Sequence, residues 1–380
     1  MQTQAKAGEI AVPRLLDAIR RSSQEAAAND RLAGEYAELR LLLEKDDLFV
    51  PRAQNYILKI VLTIGLLVLS VGLLSVILDF RLQVLDALLM AIASTQLAFL
   101  FHDAGHRQIF KKSHMNDVLG LILANLLLGW SYSRWVISHN KHHAHPNQPD
   151  LDPDISDVPV IAFTEEQARA KRGLLSFCTK FQAYCFPFLI LLGAFSWRVR
   201  SIQFLWQNKV RYRSTEIVLL AMHLVLYLGF IFFFLPVGKA ILIVFCHNAL
   251  FGLYVGSVFA ASHKGMLYVD RGGTQSFLRH QILSTRNIRP HPLSNIWYGP
   301  MACHIEHHLF PQMPRTELLK ARGIVRSFCL ARGIPYHETG GLQSYLETFQ
   351  YLHRVSAPLR ATRHLARTER HLANNSNGGQ

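Results

Sequence analysis

VLGLILANLLLGW, Val118 to Trp130, is the stretch on which the topology turns. It is apolar enough to suggest a membrane crossing, yet it falls well short of the roughly 20 residues that a helix needs to traverse a hydrocarbon core. A crossing here would put the histidines before it and after it on opposite sides of a bilayer. Read as a helix lying in the interface or inside the protein, it keeps them on one side. FPFLILLGAF, from Phe186, is short in the same way and is read likewise.

Outward from that stretch, four runs are long enough to span: about Ile57 to Leu78, Leu82 to Phe101, Ile217 to Leu235 and Lys239 to Ala261. The links Asp79 to Arg81 and Pro236 to Lys239 are tiny, which predicts two transmembrane hairpins. Nearly all the Lys and Arg lie before Ile57, between His102 and Glu216, and after Ser262, so those segments are expected on the cytoplasmic face. The fold class expected is therefore an all-α integral membrane protein, four transmembrane helices in two hairpins with a cytoplasmic helical cap. Residues 1–50 are expected to form cytoplasmic amphipathic helices, with apolar positions at Leu15, Leu16 and Ile19 and again from Leu39 to Leu43. Residues 51–359 make the membrane domain, and 360–380 read as a polar, disordered tail.

Composition agrees. Hydrophobic residues make up 50% of the chain and charged residues 17%, below the roughly 25% of soluble domains. The net charge of +14 is spread over several polar segments. That distribution suits an anionic membrane surface, and no nucleic-acid partner is expected. The five cysteines are scattered without a Cys-x-x-Cys pair, so reduced thiols are expected. The N-terminus lacks a cleavable signal pattern, and the first span is expected to insert uncleaved.

The chemistry lies in the histidines. The second span runs into FHDAGHR, which sets His102 and His106 at i and i+4 on one helix face. SHNKHHAHPN places His139, His142 and His143 at i, i+3 and i+4, and CHIEHHLFP repeats that spacing with His304, His307 and His308. In each triplet two imidazoles stack on one face while the third is rotated enough to reach a second metal. A lone pair would mean little; the repetition carries the signal. Eight imidazoles exceed the needs of one tetrahedral ion, which points to a dinuclear centre. His263, just past the fourth span, is a candidate ninth ligand. Imidazole accepts iron, zinc and copper alike, so spacing leaves the metal open. A site at the membrane surface beneath apolar helices suggests a long hydrocarbon substrate, a redox metal and O2.

Metal-bound imidazoles commonly donate their second N–H to a carboxylate or carbonyl. Asp103, Asp150, Asp152, Asp154 and Glu306 are near in sequence, and Asp103, Asp154 and Asn287 are the leading candidates. His114, His145, His280 and His291 match no cluster spacing and are expected at the solvent or behind the ligands. His223 and His247 lie within spans, far in depth from the clusters, and His247 is expected to pack against Asn248 or nearby backbone.

HDAGH, HNKHH and HIEHH, in this order and flanked by two hairpins, resemble the three histidine boxes of the membrane fatty acid desaturases. HHAHPNQPDLDPDI, STRNI and HIEHHLFPQMPR look similar to actinobacterial acyl-CoA or acyl-lipid desaturases near the linoleoyl-CoA and front-end branch. The likeness covers about Asp47 to Leu359. It implies two iron ions, O2 as co-substrate, and removal of hydrogen from two adjacent methylenes to leave a cis double bond. It also implies an acyl substrate carried on CoA, a lipid or a carrier protein, and a bacterial cell membrane as the location. The chain departs from the front-end pattern at His304, where Gln is usual, and has Ser262 where related bacterial sequences carry Asn. No His-Pro-Gly-Gly haem motif appears, so electrons are expected from a separate donor such as a ferredoxin with its reductase.

Trp130, Trp135, Trp297 and Tyr298 are candidates for the walls of an acyl tunnel or for interfacial anchors. Arg107, Lys111, Lys112, Arg286 and Arg289 are candidates for a headgroup site or for contact with an anionic membrane. A hydroxylase on the same scaffold is the nearest rival. A metal transporter or sensor is a more distant one, since it would place its ligands at mid-membrane depth along a pathway.

Overall fold

The computed structural model describes residues 34–156, 158–269 and 276–360. The expectations for residues 1–33 and for the tail from 361 lie outside the described residues. In chain order the helices are α1 (34–44), α2 (Gln54–Val76), α3 (Phe80–Gly105), α4 (Ser113–Leu121), α5 (Tyr132–Ala144), α6 (Pro153–Ser156), α7 (Glu165–Ala170), α8 (Gly173–Lys180) and α9 (Gln182–Leu191). There follow α10 (Gly193–Gln207), α11 (Arg213–Phe234), α12 (Val237–His263), α13 (Phe277–Leu283), α14 (Pro292–Tyr298), α15 (His304–Leu309), α16 (Leu318–Ala331) and α17 (Gly341–Val355). Among the described residues the strands are a single parallel pairing of two-residue segments, Asn287–Ile288 with Glu338–Thr339.

Four of these helices, α2, α3, α11 and α12, are long and apolar enough to cross a membrane. Local sequence sets their ends. Asp79 caps α3 by accepting from the backbone N–H of Arg81 at 2.7 Å and of Leu82 at 3.3 Å. Pro236, with no N–H of its own to leave unpaired, precedes the first turn of α12. The apolar stretches of α2 and α11 are only 17% buried, against 67% for α3 and 50% for α12. α3 and α12 therefore form the inner pair, packed on each other, and α2 packs outside α3.

The Val118 stretch forms the end of α4 and a π-helical turn, Ile122–Leu128. Together they make an apolar segment, Ser113–Leu128, too short to span. Leu121, Leu123 and Leu128 bury against the inner helices. The Phe186 stretch contributes α9, which carries Pro187 and bends 99° from α8. By length and composition the α8–α9 pair could form one broken span.

The wide π turn brings Asn125 to Glu216 at the start of α11. Glu216 is fully buried and accepts from Asn125 Nδ2 at 3.0 Å, Ser131 Oγ at 2.6 Å and the Ser133 N–H at 3.1 Å. One carboxylate thus ties the short apolar segment, the N-terminus of α5 and α11 together. On the other side of the histidines, α1, α13, α15 and α16 share a second apolar core that includes Leu39, Leu278, Ile305 and Val325.

Glu216→Ala should lower stability by about 3 kcal/mol, because three buried donors lose their acceptor at once. Thermal denaturation in detergent micelles would register it, and Glu216→Gln should recover part of the loss.

Candidate metal centre

His102 and His106 sit at the end of α3 where the helix leaves its apolar surroundings. Gly105 between them is needed for packing: a Cβ there would lie 2.3 Å from the Trp135 ring. Trp135, one turn before His139 on α5, stacks on His139 with centroids 4.3 Å apart and meets His102 and His106 edge-on. His263 is the last residue of α12, and the third triplet is on the short helix α15.

All nine predicted histidines are buried in one cluster. Their ligand atoms fall into two groups of four, each within 4.8 Å of one another: His102, His106, His139 and His307; and His142, His263, His304 and His308. His143 lies between. Its Nε2 is 3.1 Å from that of His139, and its ring stacks on His308 at 4.2 Å. Each triplet divides between the groups: His139 against His142, and His307 against His304 and His308.

Acceptors hold several rings by Nδ1. His142 Nδ1 is 3.0 Å from both oxygens of Asp152, which also accepts the N–H groups of Asn147 and Asp154 at 2.9 Å each. Gln281 Oε1 holds His308 at 3.0 Å while its amide donates to the His143 carbonyl at 2.8 Å. The Ser284 carbonyl holds His263 at 3.0 Å. Asp103 stands 3.4 Å from His102 and pairs with Arg315 at 2.9 Å. Accepting at Nδ1 selects the tautomer whose Nε2 lone pair faces inward.

The inward nitrogens then meet one another. His142 and His263 Nε2 are 3.1 Å apart, and those of His263 and His304 are 2.6 Å apart. Among the described residues, the buried Nε2 atoms of His102, His106, His307 and His308 have no hydrogen-bond partner. Buried polar atoms rarely go unpaired. Lone pairs so close are stabilised by a shared cation, and this donor set fits metal ions. Burial, reinforced by neighbouring imidazoles, holds His139, His143, His304, His307 and His308 well below the usual histidine range, and burial with His142 nearby lowers His106 to about 3. They are neutral, as ligands must be. His142 differs: burial works against its charge, but Asp152 and Asp154 outweigh that and raise it.

The predicted supporting residues divide. Asp103 touches His102, and Asp154 approaches His142 at 3.5 Å with a half-exposed side chain. Asp152, named only among the nearby acids, makes the closer contact. Asp150 turns the chain toward it with φ 68. The Asn287 side chain hydrogen-bonds none of the nine clustered histidines. It bonds Glu306 at 2.8 Å and the Ile305 N–H at 2.8 Å, and so frames the turn that presents the third triplet. Gln281, Ser284 and Arg315 went unrecognised, because one acts through a neutral amide, one through a backbone carbonyl and one through Asp103.

Two other expectations are corrected, those for Arg286 and His247. Arg286 is fully buried, bonded to Glu347 and the Lys264 carbonyl, so it faces no headgroup. Of the two places expected for His280 it takes the buried one, bonding the Pro146 carbonyl at 2.8 Å. His247 bonds Ser94 at 3.0 Å and Tyr227 at 2.7 Å, while Asn248 reaches that tyrosine at 3.1 Å without touching His247. His114 is exposed, His145 bonds Gln148 at 3.1 Å, and His291 caps α14.

Four apolar spans and a buried histidine centre define a membrane protein with metal-binding capacity. The chain belongs to the fatty acid desaturase family, which it matches over residues 81–340. It is 28% identical to an acyl-lipid (9-3)-desaturase of Physcomitrium patens, over 81% of this chain and 60% of that protein. It is 29% identical to a delta(8)-fatty-acid desaturase of Euglena gracilis, over 82% of this chain and 76% of that protein. With a delta(6)-fatty-acid desaturase of Caenorhabditis elegans it shares 27% identity, over 88% of this chain and 78% of that protein.

Two outcomes are expected. Asp152→Asn should weaken metal affinity about 10- to 100-fold, measured by chelator competition, since the carboxylate behind a ligand tunes it. The metal-free protein should lose stability as pH falls below about 6.5, by about 1.4 kcal/mol per pH unit for each buried neutral histidine, because the unfolded chain takes up protons that the folded cluster refuses. Melting temperature measured from about pH 8 to pH 5 would register it.

Proposed function

We propose that this chain is an O2-dependent acyl desaturase that holds two iron ions between the nine histidines His102, His106, His139, His142, His143, His263, His304, His307 and His308. The observation that carries this reading is the division of the cluster into two four-histidine groups whose inward nitrogens lack other partners. Two ions, each with open positions, are the natural occupants of such a set. In this reading α2 with α3 and α11 with α12 form two hairpins, the remaining helices cap their cytoplasmic ends, and the protein resides in a bacterial cell membrane.

When bound, the iron pair supplies the oxidising chemistry: O2, two electrons and two protons, with two hydrogens from adjacent methylenes, give a cis double bond and two waters. The electrons come from a separate carrier such as a ferredoxin with its reductase. The acyl chain arrives on CoA, a lipid or a carrier protein. The chain's own residues supply placement. Asp103, Asp152, Gln281 and the Ser284 carbonyl hold Nδ1–H groups and fix the rings, with Asp154 beside His142. Asn287 with Glu306 frames α15, and Trp135 shields one histidine group. Rigid placement matters because attack on an unactivated methylene depends on geometry.

Expression in a host with a simple lipid profile should yield a new unsaturated fatty acid two mass units lighter than its parent, seen by gas chromatography with mass spectrometry; a gain of oxygen would mean hydroxylation. His307→Ala and His263→Ala should each lose most of the bound iron and at least about 100-fold in product, as expected when a ligand is lost. Wild-type product from either variant would remove that histidine from the ligand set.

A further inference from the structure

Two short helices outside the four spans carry apolar faces that no described residue covers. On α14, Leu293 and Ile296 are 70% and 67% exposed, and on α17 Leu342 is 87% exposed, with Leu346 and Phe349 also exposed. Both helices lie against the half of α12 that ends at His263. Thr348 of α17 bonds the Ala260 carbonyl at 3.4 Å, and Trp297 of α14 stacks on Tyr254 at 4.1 Å. Their bare faces continue the apolar surface of the spans. Phe195 stacks on Phe245 of α12, exposed Phe188 follows on α9, and Tyr184 of α9 packs on Phe349 of α17. A bilayer is the occupant that such continuity fits.

Beneath α14 lies the seam between α3 and α12. Tyr254 accepts from Gln96 of α3 at 3.3 Å and donates to the Ile296 carbonyl at 3.3 Å, while Trp297 Nε1 donates to Tyr345 of α17 at 3.0 Å. Inside that latch lies an apolar core. Phe99, Val258 and Met301 share one small core with Tyr254, and each lies within five residues of a histidine: His102, His263 and His304 respectively. α14 ends at Gly299, with φ 53 and ψ −127, a conformation open to glycine alone, and a Cβ there would lie 2.9 Å from the Phe99 ring. The chain therefore turns sharply directly before the segment that carries His304.

We propose that α14 and α17 lie in the bilayer interface, and that the seam latched by Trp297 on Tyr254 admits, sideways from the bilayer, an acyl chain still attached to a membrane lipid. The entry path deepens the desaturase reading and rests on it; the membrane placement of α14 does not. An acyl chain passing the latch runs along that apolar core toward the metal centre. Its headgroup stays at the surface beside α14. A lipid substrate thus never leaves the membrane to reach a buried site.

The test uses the full-length iron-loaded protein in phospholipid vesicles, supplied with O2 and with reducing equivalents through a ferredoxin and its reductase. With Cys178, Cys185 and Cys246 replaced by Ser, a nitroxide on Leu293→Cys should be more accessible to dissolved oxygen than to a water-soluble nickel chelate; the reverse overturns the membrane placement. Trp297→Ala and, with packing retained, Tyr254→Phe should each raise the initial rate on a vesicle phospholipid about three- to tenfold, the size of losing one aromatic stack or a pair of weak hydrogen bonds. Their iron content should match the unsubstituted protein. An unchanged or lower rate in both variants at full iron content overturns the latch. If the unsubstituted protein desaturates the acyl chain as a soluble CoA thioester but not on the phospholipid, the lipid route is overturned while the desaturase reading stands. If it desaturates neither, the desaturase reading fails, and the nitroxide result alone judges the placement of α14.

Discussion

Nine buried imidazoles packed around one interior space are a constraint that the rest of the molecule has to satisfy. Burial disfavours charge on them, and acceptors at the Nδ1 of His102, His142, His263 and His308 turn those rings inward, to nitrogen separations as short as 2.6 Å. Without a cation such an arrangement is held only by its surroundings. Those surroundings come from distant parts of the chain: the ends of α3 and α12, the C-terminal half of α5, and the short α15. Helix α13 supplies Gln281 and, just past its end, Ser284, which grip three of the rings or their backbone.

That demand explains the architecture of the inner helices. α3 and α12 are buried because they deliver His102, His106 and His263, whereas α2 and α11 keep apolar outer faces suited to lipid. The Val118 segment widens into a π turn and stays short, so the chain returns to the same end of the inner pair. Glu216 anchors that return by collecting three donors from two segments. The supporting pairs act at a distance from the centre. Arg315 comes from the segment after α15 and holds Asp103 on α3, locking the first and third histidine motifs to one another.

The same packing joins the centre to the membrane. The apolar residues between Tyr254 and the histidines form a continuous core instead of a water-filled passage, and that core is bounded outward by α14 and α17. On the lateral route proposed above, such a core favours hydrocarbon over water, which would lose hydrogen bonds there.

Periodicity and length in the sequence determined the four spans, because a helix in lipid must satisfy its backbone internally and must be long enough to cross. The spacing of the histidine motifs likewise determined which rings can share a helix face, since that depends only on helix geometry. His263 was legible too, as a histidine at the end of a span. What tertiary structure alone decided is how each triplet divides between two groups, and which groups hold the rings from behind. Asp152 outranks Asp154 because the turn after Asp150 points its carboxylate inward, and Gln281 serves as an acceptor because α13 packs against α15. Arg286 read as a surface cation until folding buried it against Glu347. Such roles depend on the direction of a side chain in space, which no local pattern of residues encodes.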